Sequence, residues 1–115
     1  ISQLNRQFIK SICNYLDIKT TITNSSDYAL NDGKTQRLVE LCRQAGATEY
    51  ISGPAAKDYM YEADFTDMDI KLTWFDYAGY QEYPQLWGDF IHEVSILDLL
   101  FNCGKDSPRY MRYVT

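Results

Sequence analysis

The chain has 115 residues with 16 acidic and 11 basic side chains, so it carries a net charge of -5 and is long enough for one small domain. This acidic balance, with the lysines and arginines scattered along the chain, argues against a nucleic-acid partner, which requires clustered positive charge. No apolar run approaches the ~20 residues that a membrane-spanning helix needs, so no membrane span is expected.

The three cysteines, Cys13, Cys42 and Cys103, lie far apart and form no C-x-x-C pair. Their spacing argues against a disulfide framework and against a zinc site. We therefore expect free thiols in a reducing compartment, the cytoplasm. The sequence indicates neither a metal nor a cofactor.

The first part of the chain predicts a helix, a strand and a second helix. Apolar residues recur at every third or fourth position between residues 2 and 16, which indicates an amphipathic helix. The β-branched run Thr20-Thr21-Ile22-Thr23 predicts a short strand. A second amphipathic pattern follows Thr35, and Gly46 is its expected C-terminal cap.

The segment Asp32-Gly33-Lys34-Thr35 resembles the end of a phosphate-binding loop. That motif needs another glycine five residues before Gly33, where Tyr28 stands, and it should directly follow a strand. The pattern therefore favours an ordinary N-terminal turn with a solvated lysine. The helix N-terminus could still attract an anion.

The middle of the chain predicts two further strands. Residues 48–51 form the first of them, and Ser52-Gly53-Pro54 turns the chain into a helix that is expected to run from Ala55 to Tyr61. A looser helical turn is expected over residues 64–68. Residues 69–75 alternate between polar and apolar side chains, which predicts the last strand.

The stretch from Tyr83 to Gly104 predicts an ordered loop followed by an apolar helix. Ser95 and Asp98 have the spacing of a capping box, and Gly104 is the expected left-handed C-terminal cap. The helix between them has almost no polar break and is expected to be buried on nearly all sides. Ser107-Pro108 is expected to cap a last short helix through residue 113.

Strands that alternate with helices predict an α/β fold, here a small three-stranded parallel sheet flanked by helices on both faces in a single domain of residues 1–115. In such sheets, ligands bind beyond the carboxyl ends of the strands. Those ends are expected at Asn24-Ser25-Ser26, Ser52-Gly53-Pro54 and Asp76-Tyr77, along one edge that lies beside the Trp87 loop.

The candidate site combines this edge with the loop. Glycine permits close approach of a ligand, and the helix after it would offer free amides to a carboxylate or phosphate, although the same residues suit a simple strand-to-helix turn. The aromatic loop residues suit sugars or nucleotides and equally suit the rim of a core. The predicted substrate-binding residues are Ser52, Gly53, Lys57, Tyr59, Tyr83, Gln85 and Trp87.

His92 is the only histidine and is the candidate catalytic residue, because an imidazole can act as a general base near neutral pH. A partly exposed structural role is the alternative. None of the serines or cysteines lies in a sequence typical of an activated nucleophile.

Two blocks, YPQLWGDF followed by SILDLLFNCG within residues 83–104 and ISGPAAKDY at residues 51–59, resemble the WbqC-like protein family. Asp32-Gly33-Lys34-Thr35 is a weaker third block. The similarity extends over nearly the whole chain and implies that it is the C-terminal half of a longer protein. Members of this family are found near genes for O-antigen and other surface sugars and are described as glycine (aminoacyl) transferases that act on amino sugars, so the resemblance implies this activity.

Two other functions fit the same residues. The chain could be a non-catalytic module that binds a nucleotide or nucleotide-sugar, or a structural or dimerisation half-domain. The expected partners are a small-molecule amino sugar or nucleotide-sugar and the N-terminal half of the same protein.

Overall fold

The computed structural model describes residues 1–114, and the chain divides into two compact units. The central unit is Ile22–Tyr77, and the terminal unit is Ile1–Thr21 together with Ala78–Thr115. The elements in chain order are α1 (Ser2–Tyr15), a 3-10 helix (Ser25–Asp27), α2 (Thr35–Gln44), β1 (Glu49–Ser52), a 3-10 helix (Pro54–Asp58), α3 (Glu62–Thr66), β2 (Lys71–Trp74), α4 (Ile96–Cys103) and a 3-10 helix (Gly104–Tyr110).

Helices and a parallel sheet confirm the α/β class, but the described residues form two strands and not three. β1 and β2 pair in parallel from Glu49–Lys71 to Ser52–Trp74. The strand predicted at residues 20–23 is wrong, since this run forms no strand. Its threonines are exposed and Ile22 is its one apolar residue, so a strand here would have no apolar face to bury.

Two predicted helices have 3-10 geometry and other bounds than expected. The segment predicted as a helix from Ala55 to Tyr61 is a five-residue 3-10 helix at Pro54–Asp58, where the Ala56 amide donates to the Gly53 carbonyl. The last helix, expected to begin at Ser107, is a 3-10 helix that already begins at Gly104. Such short segments favour 3-10 geometry because few residues share the cost of helix nucleation.

The core of the central unit is built around Phe65, whose side chain has no exposed surface. The Tyr50 ring of β1 stacks on the Phe65 ring with centroids 5.3 Å apart. Ile70 and Leu72 pack into the same cluster, and α2 adds Val39. Hydrophobic burial therefore joins α2, α3 and the sheet.

The terminal unit has a much smaller core. Leu16 and Leu99 are its buried apolar residues, and the buried Ser107 hydroxyl donates to the Gly104 carbonyl at 2.7 Å. The prediction that α4 is buried on nearly all sides is wrong, because Phe101 is 86% exposed and Leu97 is also exposed. The apolar sequence of α4 exceeds what the described residues of this unit can cover.

Within residues 1–114, every helix falls short of the length and hydrophobicity that a bilayer-spanning helix needs.

We expect Phe65→Ala to lower the free energy of unfolding of the central unit by about 3–5 kcal/mol, because it leaves a cavity in a closed core. The measurement is urea unfolding followed by the fluorescence of Trp74, in a Trp87→Phe background so that one tryptophan reports. The exposed Tyr61→Ala is the control and should change stability by less than about 0.5 kcal/mol. Equal effects of the two substitutions would contradict this account of the core.

Candidate functional site

The eight predicted site residues divide equally between the two units. The central unit contains Ser52, Gly53, Lys57 and Tyr59, and the terminal unit contains Tyr83, Gln85, Trp87 and His92. Each group has its own local geometry, and their union in one site stays a prediction.

In the central unit, the carboxyl ends of the two parallel strands lie side by side. The Phe75 amide donates to the Ser52 carbonyl at 2.7 Å, which continues the pairing beyond β2. A Cβ atom at Gly53 would lie 3.2 Å from the Tyr77 hydroxyl oxygen, so glycine permits the close approach of that phenol. Two of the three strand ends expected along one edge, at Ser52-Gly53 and Asp76-Tyr77, thus lie side by side, whereas the end expected at Asn24-Ser25-Ser26 follows no strand.

The expectation of a helix N-terminus beyond Gly53 is wrong. The segment Pro54–Asp58 is too short to present a row of free amides to an anion. Lys57 places its Nζ atom 5.5 Å from the centroid of the Trp74 ring, a cation–π contact with β2. The lysine is therefore associated with the sheet edge.

The two blocks of the central unit that resemble the family lie next to each other. Lys34 places its Nζ atom 5.8 Å from the centroid of the half-exposed Tyr59 ring. The buried Thr35 hydroxyl donates to the Tyr59 carbonyl at 3.5 Å. The segment that only resembled a phosphate loop thus supports the aromatic residue that the sequence placed in the site.

In the terminal unit, a cavity of about 230 Å³ lies between the loop and α4. Its lining contains two of the three substrate-binding residues predicted in the loop, Gln85 and Trp87, whereas the third, Tyr83, is not part of it. The full lining is Gln85, Leu86, Trp87, Ile91, Val94, Asp98 and Asn102.

Gln85 closes the loop that forms one wall of this cavity. Its Oε1 atom accepts from the Ile91 amide at 2.9 Å, and its Nε2 atom donates to the Ile91 carbonyl at 3.0 Å. Between these two residues, Gly88 adopts φ +67°, a conformation that favours glycine. The closed loop presents Leu86 and Trp87, whose exposed fractions are 80% and 86%.

Asp98 on α4 joins the loop to the helix. Its Oδ2 atom accepts from the Tyr83 hydroxyl at 2.6 Å and from Gln85 Nε2 at 3.0 Å. Asn102, one turn along α4, donates to the Asp98 Oδ1 atom at 3.3 Å. Burial, and then the Asp98 carboxylate, raises the pKa of Tyr83, so this phenol keeps its proton at neutral pH.

Neither of the two hydrogen bonds of the predicted capping box forms between Ser95 and Asp98. Ser95 is the N-terminal cap of α4, but its hydroxyl accepts from the Leu97 amide at 3.2 Å. The Asp98 carboxylate turns to the loop because Tyr83 and Gln85 supply two donors, and a carboxylate prefers several strong donors to one amide. Gly104 ends α4 with φ +53° but ψ -126°, outside the left-handed helical region.

His92 is exposed, and its ring packs edge-on against Phe90 with centroids 4.6 Å apart. The Phe90 ring in turn packs edge-on against the Tyr83 ring, with centroids 4.9 Å apart. The imidazole is not among the side chains that line the cavity. Its catalytic role stays a prediction.

The sequence analysis missed Asp98 and Asn102 as lining residues. Their separation of four residues places them on one face of α4, and that spacing was the available signal. Because a capping role already accounted for Asp98 in the sequence, its contact with Gln85, 13 residues earlier, was not predicted.

A second cavity, of about 310 Å³, lies in the central unit, and none of the predicted site residues lines it. Three of its lining residues are the acids Glu40, Asp64 and Asp67. Hydrogen bonds from Arg43 and then Gln44 lower the pKa of Glu40 to about 2, so its charge is already compensated. Among residues 1–114, no group of three or more His, Cys, Asp or Glu side chains is arranged to hold a metal ion.

We expect Gln85→Ala to speed hydrogen exchange of the Ile91 amide roughly fivefold, the equivalent of about 1 kcal/mol, because its acceptor is lost. The measurement is residue-resolved hydrogen exchange by NMR. Gln81→Ala, which removes an exposed glutamine from the preceding segment, is the matched control and should leave Ile91 unchanged. Unaltered protection in Gln85→Ala would mean that other contacts close the loop.

Comparison with known proteins identifies the family of the chain. It is 57% identical over 113 residues to "Uncharacterized protein Rv1507c" of Mycobacterium tuberculosis, a match that covers 98% of this chain and 49% of that protein. The chain thus spans about half the length of the curated relative it matches. No solved structure matches it. The model of the WbqC-like protein family matches residues 1–110, so the chain belongs to this family.

Proposed function

We propose that this chain holds the amino-sugar acceptor of a glycine (aminoacyl) transferase that acts in the biosynthesis of O-antigen or another surface polysaccharide. The reaction class is the one that resemblance to the WbqC-like family implies. The observation that carries the location is the cavity of the terminal unit, whose lining contains both an exposed indole and a carboxylate held by hydrogen bonds. We further propose that residues 1–115 are the C-terminal half of the full-length protein.

The lining of this cavity suits a sugar ring that carries an amino group. The exposed Trp87 indole offers a flat apolar surface to the C–H face of the ring. Asp98 offers a negative charge to the ammonium group, and a carboxylate can accept about four hydrogen bonds, of which three are used here. Asn102 can bond the ring hydroxyls.

The size of the cavity favours a monosaccharide unit over a whole nucleotide-sugar. Its volume of about 230 Å³ lies below the ~300–1,000 Å³ typical of pockets for drug-sized ligands. We therefore place one sugar ring inside it and a nucleotide, where the acceptor carries one, outside it.

In the proposed transfer, the ammonium group held by Asp98 first loses one proton to solvent, and the neutral amine then attacks the carbonyl carbon of an activated aminoacyl donor. The N–C bond forms, the bond from the carbonyl carbon to the leaving group breaks, and a base takes the amine proton. His92 is the proposed base. The three free cysteines support a reducing, cytoplasmic location, and the proposal includes no cofactor.

A non-catalytic nucleotide-sugar-binding module is the second candidate. The observation that favours it is the position of His92, which packs on Phe90 and does not line the cavity. In that case, the chemistry belongs to the other half of the protein.

We expect a full-length protein that contains this chain to bind glucosamine more tightly than N-acetylglucosamine or glucose, because only glucosamine brings an ammonium group to Asp98. Asp98→Asn keeps the shape and should weaken glucosamine at least tenfold more than it weakens the two neutral sugars, the equivalent of about 1.4 kcal/mol, because only glucosamine loses a charge partner. Trp87→Ala should weaken all three sugars. The measurement is isothermal titration calorimetry.

Asp89→Asn, on the same loop, is the matched control, since it removes an exposed carboxylate that does not line the cavity. Equal affinity for the three sugars, or equal effects of Asp98→Asn and Asp89→Asn, would place the acceptor elsewhere. His92→Gln separates the two candidates. Loss of glycine transfer with sugar affinity intact supports the transferase, whereas sugar or nucleotide-sugar binding without turnover by the unaltered protein identifies the module.

A further inference from the structure

The terminal unit buries far less of its apolar surface than the central unit does. The two units are similar in length, yet among the described residues the terminal unit buries Leu16, Leu99 and Ser107 only. The buried residues of the central unit are Thr35, Val39, Cys42, Ser52, Ala56, Met60, Phe65, Ile70 and Leu72. A unit of this size is marginally stable even with a full core, so the terminal unit needs further surface to pack against.

Part of the exposed apolar surface of the terminal unit lies on α1. Its last turn leads to the buried Leu16, with Ile12 partly buried before it. Its earlier turns expose Leu4 and Phe8, at 58% and 57%, and their spacing of four residues places them on one stripe of the helix.

α4 exposes a second stripe with the same spacing. Leu97 and Phe101 lie one turn apart on the helix, and both are exposed. α1 and α4 belong to one assembled unit, since the Tyr15 hydroxyl at the end of α1 lies 3.7 Å from where a Cβ atom of Gly104 would be. One exposed apolar side chain is ordinary on a protein surface, whereas two helical stripes of them in one unit indicate apolar surface that lacks a partner among the described residues.

We propose that these two stripes, Leu4 with Phe8 on α1 and Leu97 with Phe101 on α4, dock the other half of a full-length WbqC-like protein. The mycobacterial relative carries about as much chain again outside the match, which spans 49% of its length. A segment of the same polypeptide meets this surface at high effective concentration, an advantage that a second copy lacks. The inference concerns packing and holds whichever ligand the cavity takes.

The experiment uses a full-length hybrid in which this 115-residue chain replaces the matched half of the mycobacterial relative, with a protease site at the junction. After cleavage, docked halves co-elute in size-exclusion chromatography. We expect co-elution in the parent hybrid and its loss in Leu4→Asp/Phe8→Asp and in Leu97→Asp/Phe101→Asp, because a charge in an apolar contact is costly to desolvate.

Gln3→Asp/Gln7→Asp is the matched control, because it adds the same two charges at adjacent positions on the polar face of α1. It should leave the halves together. Circular dichroism checks the fold of each variant, and where the aspartates reduce helix content, Leu4→Ser/Phe8→Ser and Leu97→Ser/Phe101→Ser replace them.

Three outcomes would overturn the inference. The halves of the parent hybrid could separate on cleavage, the stripe variants could remain together, or the control could separate as readily as they do. If the hybrid forms dimers, and the stripe variants abolish the dimers while the two halves remain docked, the surface would be assigned to a second copy. A sugar-binding failure in a hybrid whose halves remain docked would count against the proposed function alone.

Discussion

The structure of the terminal unit depends on the Asp98 carboxylate. It lies on α4 and accepts from Tyr83 and Gln85, which flank the start of the loop, so one side chain fixes the loop to the helix. Hydrogen bonds to a charged group contribute roughly 1.5–3 kcal/mol each when buried, and partial exposure reduces that value here. Because only two of the unit's described residues are buried apolar ones, such contacts are a large share of what holds the loop in place.

Gln85 extends the effect of this carboxylate through the loop. One Nε2 group donates both to Asp98 and to the Ile91 carbonyl, while Oε1 accepts from the Ile91 amide. The side chain therefore satisfies the backbone of Ile91 in the way that a neighbouring strand would. The loop that carries Trp87 contains no helix or strand, and these hydrogen bonds join its two ends to each other and to α4. They explain how an exposed indole is held beside the helix.

On the proposed function, this arrangement also prepares Asp98 for the amino group of a sugar. A carboxylate already oriented by three donors does not need to reorganise when an ammonium group arrives, which is the general advantage of a preorganised polar site. The Tyr83 phenol is protonated at neutral pH, as tyrosine ordinarily is, so it donates to the carboxylate and does not repel it. The polar wall of the cavity is thus set by contacts within the chain.

The sequence predicted those features that short-range patterns determine. The periodicity of α1 and α2, the cap at Gly46 with φ +68° and the parallel pairing of β1 with β2 all follow from local spacing and connectivity. The strand predicted at residues 20–23 shows the limit of composition, because β-branched residues favour a strand only where its face can be buried.

Short-range patterns could not predict the contact of Asp98 with Tyr83 and Gln85. It joins residues 13 and 15 positions apart, and Asp98 already had a satisfactory local role in a capping box. The exposure of α4 was missed for a related reason. An apolar helix predicts burial, but the sequence of one chain does not say which chain supplies the covering surface, and in this unit Phe101 finds no cover among the described residues.

These two features meet on α4. The helix places Asp98 and Asn102 towards the cavity and exposes Leu97 and Phe101. A contact that covers the exposed stripe stabilises the same eight-residue helix that presents the cavity's polar groups, and local stability limits how well such groups stay oriented. On the proposed arrangement, docking of the other half therefore orders the sugar site without touching the sugar, so binding and assembly are coupled through a single helix.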